Sequence, residues 1–156
     1  MILFVPLASP KVFRLELGVM QTMLGIPAAD ILMSSDVDFV NKGGTSEMFA
    51  GLEMQKYHDC FQKAELHYWQ NMAKGSSAEV DYLRTRDGLV LPVEVKANTQ
   101  GSMQSLWIFM RKRKLHKAIR TSLENFGQFD HYDSEDNFDQ RHVDILPLYA
   151  LSNLDM

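Results

Sequence analysis

Two β-rich runs, Ala78 to Thr85 and Leu89 to Lys96, flank Asp87-Gly88, a dipeptide that strongly favours a two-residue hairpin loop. With that loop, Asp81 lies opposite Glu94 and Glu79 opposite Lys96, so three acids and one lysine share a face. Carboxylates directly across a strand pair repel. They call for a compensating partner, which is Lys96, solvent, or a divalent cation with its preference for hard oxygen ligands. The opposite face carries Val80, Tyr82, Leu91, Val93 and Val95, an apolar surface suited to packing under a helix. A bulge near Pro92 would break the direct opposition of Asp81 and Glu94 while leaving Asp81, Glu94 and Lys96 near one another. Alternating charges also serve simply to keep an exposed sheet edge soluble, so the motif alone leaves both roles open.

Several elements must position this hairpin. Phe13, Leu17, Met20 and Leu24 form a helical stripe stopped by Gly25 and Pro27. After a loop at Asn41 to Gly44, Thr45 or Ser46 caps a predicted helix running to about His58, with Phe49, Leu52 and Lys56 on one side and Glu47, Ala50 and Met54 on another. Leu66 to Trp69, Ala118 to Leu123 and Val143 to Leu151 read as strands. Met103, Leu106, Trp107 and Met110 recur at helical spacing. Leu106 to Met110 is apolar nearly all round, so that helix is either deeply buried or meets a partner or a second copy of the chain.

That helix ends in Arg111-Lys112-Arg113-Lys114. With Lys117 and Arg120 this run places six of the chain's 16 basic residues in ten positions. It suits the C-terminal end of a helix dipole, which is the preferred reading, and it also suits contact with nucleic-acid phosphates. The opposite charge gathers at 130–139, where Asp130, Asp133, Glu135, Asp136 and Asp139 stand without a lysine or arginine. Residues 127–142 are therefore expected as an exposed acidic loop. Its spacing lacks the turn glycine and closing glutamate of a calcium-binding loop.

The chain has 156 residues, 46% hydrophobic and 23% charged, which suits one domain with a sizeable core. A net charge of −4 argues against a surface that wraps nucleic acid throughout. The single cysteine, Cys60, excludes an intrachain disulfide framework and a multi-cysteine zinc site, and the five histidines lack zinc-site spacing. The apolar start is broken by Pro6 and Pro10 and has no basic leader, and no run approaches bilayer length. A cytoplasmic protein with no membrane partner is expected.

The order of these elements resembles the α-β-β-β-α-β core of the PD-(D/E)XK nuclease-like superfamily. More closely, Asn41-Lys42-Gly43, Glu47 with Phe49, Tyr68-Trp69, Ala78-Glu79-Val80-Asp81, Pro92-Val93-Glu94-Val95-Lys96, Ile119-Arg120 and Leu146-Pro147-Leu148-Tyr149 resemble the C-terminal domain of unknown function, numbered 4143, of prokaryotic AAA-type ATP-binding proteins. The resemblance covers roughly residues 12–151. It implies an α/β (α+β) fold with a restriction-endonuclease-like core, a central mixed sheet of about four to five strands flanked by helices. On this scheme 1–40 is an N-terminal helical arm and 41–151 the core of one domain spanning 1–156. The resemblance places Glu47, Asp81, Glu94 and Lys96 on the motif positions. Asp81 and Glu94 with the Val95 carbonyl would hold Mg²⁺ or Mn²⁺, Lys96 would orient water or neutralise phosphate charge, and Glu47 would add a metal-linked or water-mediated contact. Arg111, Lys112, Arg113 and Lys114 would hold a nucleic-acid backbone. No phosphate loop is present, so no ATP site is expected; the chain is a stand-alone or truncated relative, or its ATPase partner is a separate polypeptide. The implied activity is metal-dependent phosphodiester cleavage of nucleic acid; the alternative is a catalytically inactive interaction domain of an ATPase system, with a homodimer as a further candidate assembly.

Overall fold

The computed structural model describes residues 17–25, 27, 42–56, 61, 66–86, 88–96 and 101–153. The predicted N-terminal arm is described only in part: helix α1 spans Leu17–Met23, and Phe13 of the predicted stripe and Cys60 lie outside the described residues. Helix α2 spans Lys42–Lys56, so Gly43 and Gly44, expected in a loop, form its first turn. Its core stripe runs through Ala50 and Met54, both fully buried, and Glu47 occupies the same stripe one turn earlier. That placement turns Glu47 toward the sheet.

Six strands, rather than the four to five expected, form one mixed sheet, because the acidic stretch adds a hairpin: β1 His67–Gln70, β2 Glu79–Arg86, β3 Leu89–Glu94, β4 Lys117–Ser122, β5 Gly127–Asp133 and β6 Asp139–Pro147. Their spatial order is β1-β2-β3-β4-β6-β5. The first three strands are antiparallel, β3–β4 and β4–β6 are parallel, and β5 closes the far edge antiparallel to β6. Helix α3, Gln104–Arg113, supplies the crossover that a parallel β3–β4 pair requires. A 3-10 helix, Leu148–Asn153, follows β6. The strand expected at Val143 to Leu151 stops at Pro147 and continues as this 3-10 helix. Proline offers no N–H with which to extend a sheet ladder.

Adjacent residues of β4 enter different cores, which makes the fold three-layered. Ile119 joins Ala50, Met54, Tyr82, Val93, Val95, Leu148 and Leu151 beneath α2 and the 3-10 helix. Ala118 joins Trp69, Val80, Leu106, Phe109, Met110 and Val143 beneath α3. The apolar girdle of α3 is thereby absorbed within the chain: Ile108 packs on this second cluster, and Trp107 stacks on His131 at 4.1 Å between ring centroids. Leu106, Phe109 and Met110 are thus buried within the chain, while Trp107 and Ile108 stay half-buried.

The hairpin keeps the expected register from Arg86↔Leu89 to Tyr82↔Val93. Beyond that point it departs from expectation. On β1, His67 and Trp69 are two residues apart, yet their partners Leu83 and Val80 are three apart, so β2 carries a bulge at Asp81-Tyr82. The extra residue reverses the alternation, and Val80 and Tyr82, expected on one face, pack into opposite cores. No sequence pattern in β2 marks the bulge, because either register gives alternating polar and apolar residues.

The acidic stretch is likewise ordered. Residues 127–142 are not a loop but the β5–β6 hairpin with a turn at its tip, and Asp133 is 2% exposed. Its acids surround Arg141, whose side chain is fully buried: Asp133 lies 3.4 Å from Nε, Asp139 3.4 Å from Nη2, and Asp136 pairs with Nη2. Apolar periodicity could not reveal this hairpin, because it is held at its tip by ions rather than by an apolar face.

Candidate functional site

The bulge assembles the site. Carboxylate oxygens of Glu47, Glu79 and Asp81, one from each residue, lie within 4.8 Å of one another, all half-buried; they form the group among the described residues with donors suited to a metal ion. Glu47 is carried by α2, which β2 docks through two side chains. The Tyr82 hydroxyl donates to the Glu47 carbonyl at 2.8 Å, and Arg84 donates to the Met54 carbonyl at 3.5 Å. Burial raises the Tyr82 pKa, and the charges of Glu47 and Asp81 raise it further, so the phenol stays a neutral donor.

Glu94 ends β3, and Val95 and Lys96 follow it at the same end of the sheet as the triad. Glu94 is 4% exposed and its Oε1 lies 2.7 Å from the Lys96 ammonium. Glu94 pairs in register with Arg120 of β4, itself buried. Past Glu94 the strand leaves the ladder and side chains from both neighbouring strands take over its backbone. Val95 N–H donates to Asp81 Oδ2 at 2.8 Å, and Lys96 N–H donates to Thr121 Oγ1 at 2.9 Å. The site thus lies where β2 begins and β3 ends, at the carboxyl end of a parallel strand, the favoured ligand position of open α/β sheets.

Sequence reasoning named Glu47, Asp81, Glu94, Lys96 and Val95, with Glu79 as a secondary candidate, and all of them gather at this end of the sheet. Glu79 belongs to the triad, and Glu94 lies outside it, paired with Lys96. The basic run is elsewhere. Gly101, which precedes α3, packs against Lys96, whereas Arg111 to Lys114 close the other end of a helix about 15 Å long. Arg111 is engaged by Asp133 at 2.8 Å and Glu135 at 3.0 Å. Lys112 donates to Asn71 and lies 5.5 Å from the centre of the Trp69 ring, and Lys114 is the left-handed C-cap residue. These geometries carry the helix-end reading of the run.

The family described as Domain of unknown function (DUF4143) matches residues 42–151, most of the chain. The chain belongs to that family. The DUF4143 match opens with α2 and closes within the 3-10 helix, so it omits the 12–41 stretch that the sequence resemblance included. All six strands and the whole carboxylate site fall inside the DUF4143 region. No curated protein and no solved structure matches the chain. Among the described residues, no helix is long and apolar enough to cross a membrane.

A second cluster of titratable groups lies on the β5–β6 ribbon of this DUF4143 domain. The His142 ring contacts Asp130 Oδ1 at 2.8 Å and Asp144 Oδ1 at 3.2 Å. The bond from Asp130 raises the His142 pKa, aided by Asp144, and the same bond lowers that of Asp130. The two carboxylates bond different ring nitrogens, so this is an ion-paired histidine and not a converging ligand set.

Proposed function

We propose that this DUF4143 domain is a divalent-cation-dependent phosphodiesterase, nuclease-like in its site and acting on nucleic acid. The observation that carries the reading is the approach of the Glu47, Glu79 and Asp81 carboxylates to within 4.8 Å. Three half-buried hard oxygen donors of one sign suit Mg²⁺ or Mn²⁺. The element order supports the same reading, since a helix, three antiparallel strands, a crossover helix and a parallel strand are what a restriction-endonuclease-like core requires.

Asp81 with Glu47 and Glu79 would hold the ion, with Glu94 and the Val95 carbonyl on the adjoining strand end. When bound, the ion supplies charge relief on the scissile phosphate and lowers the pKa of water. Lys96, held by Glu94, offers a fixed positive charge to a non-bridging phosphate oxygen or orients the attacking water. Tyr82 keeps α2, and with it Glu47, seated over β2. Incubation with Mg²⁺ or Mn²⁺ and single-stranded, duplex and branched nucleic acids tests the reading. Wild type should cleave at least one class, and Asp81→Asn or Glu94→Gln should abolish that cleavage while remaining folded. Failure of the wild type on every substrate with either metal would refute it.

A non-catalytic interaction domain of an AAA-type ATPase system is the second reading. It is favoured by three exposed apolar side chains, Leu123, Phe126 and Tyr149, which flank the Ser122↔Pro147 end of β4 and β6. Tight binding of an ATPase by a chain that takes up no metal would select it.

A further inference from the structure

Lys96 is held by more than its carboxylate partner. Thr121 is fully buried on β4, and its hydroxyl accepts the Lys96 N–H at 2.9 Å and donates to the Lys96 carbonyl at 3.2 Å. One hydroxyl has one proton to give and lone pairs to accept, so this double contact uses its capacity on a single residue. It replaces the ladder bonds that β3 gives up after Glu94↔Arg120. The stem of Lys96 is placed by a second device. A Cβ on Gly101 would meet Lys96 Cδ at 3.3 Å and Cε at 3.5 Å, so the alkyl chain passes close against a glycine and a larger residue there would press it aside. The third contact is the Glu94 carboxylate, 2.7 Å from the ammonium.

We infer that Thr121 and Gly101 are positioning residues for Lys96, fixing its backbone and stem so that its ammonium is held on Glu94. The inference rests on the phosphodiesterase reading for its consequence but not for its geometry. A side chain with four rotatable bonds loses its freedom before substrate arrives, and the charge is aimed in advance. Thr121→Val keeps the shape and removes both hydrogen bonds, Thr121→Ser restores the hydroxyl, and Gly101→Ala crowds the stem.

Amide hydrogen exchange on the full chain reads the geometry. Thr121→Val should speed exchange at the Lys96 amide at least tenfold with the amides of β4 and β6 unchanged, and Thr121→Ser should restore slow exchange. An unaltered Lys96 amide, or a general loss of protection that Ser does not rescue, would overturn the inference. Cleavage kinetics read the consequence: Thr121→Val and Gly101→Ala should lower kcat about tenfold and leave KM and Mn²⁺ affinity unchanged, whereas an equal loss of Mn²⁺ affinity would overturn it. A wild type that never cleaves removes the phosphodiesterase reading, and the exchange result then decides the positioning of Lys96 separately.

Discussion

Asp133 shows how one acid decides the fate of another group. Burial opposes its charge, but the Arg111 hydrogen bond, the Glu135 N–H and the charges of Arg111 and Arg141 outweigh burial and hold its carboxyl below the usual range. Arg141 cannot reach water, so removing Asp133 strips a counter-charge from a buried cation. Asp133→Asn should cost about 2–3 kcal/mol in denaturant unfolding, with Asp136 and the Leu115 carbonyl retaining part of the Arg141 contacts. The sign of the pH effect follows from the lowered pKa. The stabilisation is present above the usual carboxylate pKa of about 4 and is lost as pH falls through the folded value. Wild type should therefore lose stability on acidification more steeply than Asp133→Asn, and equal slopes would show that this acid is not the linked group. Such roles were hidden in the sequence, where the same acids read as a solvated loop because no spacing shows that Arg111 and Arg141 fold onto them.

At the scale of elements, the site depends on a helix docked over a bulged strand. Tyr82 joins the two, packing its ring in the core under α2 while its hydroxyl holds the Glu47 carbonyl. Tyr82→Phe should cost about 1 kcal/mol in stability and weaken Mn²⁺ binding, because it frees the first turns of α2 without opening a cavity. Unchanged Mn²⁺ affinity would mean that α2 is seated by apolar packing alone. The helices and β1 to β4 were readable from periodicity and from Asp87-Gly88, whereas β5 and the start of β6 were not, and the register from Tyr82 to Arg86 is the one a two-residue loop predicts. The bulge at Asp81 was not readable, and together with the docking of α2 it sets Asp81 and Glu79 against Glu47 rather than Asp81 against Glu94. Thr121 gave no signal either, since its role comes from where β3 leaves the sheet and not from any motif.

Over the whole molecule, charge is divided by purpose. One end of the sheet holds the carboxylates and Lys96, while the α3 C-terminus and the β5–β6 tip neutralise one another through Arg111, Arg141 and their acids. Arg111 of the basic run and the buried Arg141 are paired internally, while at the other end of the sheet the Glu47, Glu79 and Asp81 carboxylates lie together, where a cation would relieve their repulsion. The membership in DUF4143 spans all of these parts. Calorimetric titration of Mn²⁺ into the wild type and into Asp81→Ala/Glu79→Ala tests the central claim most directly. The account predicts saturable binding by the wild type, one ion per chain, and its loss in the variant with the fold retained; no heat of binding in the wild type, or equal binding by both, would contradict it.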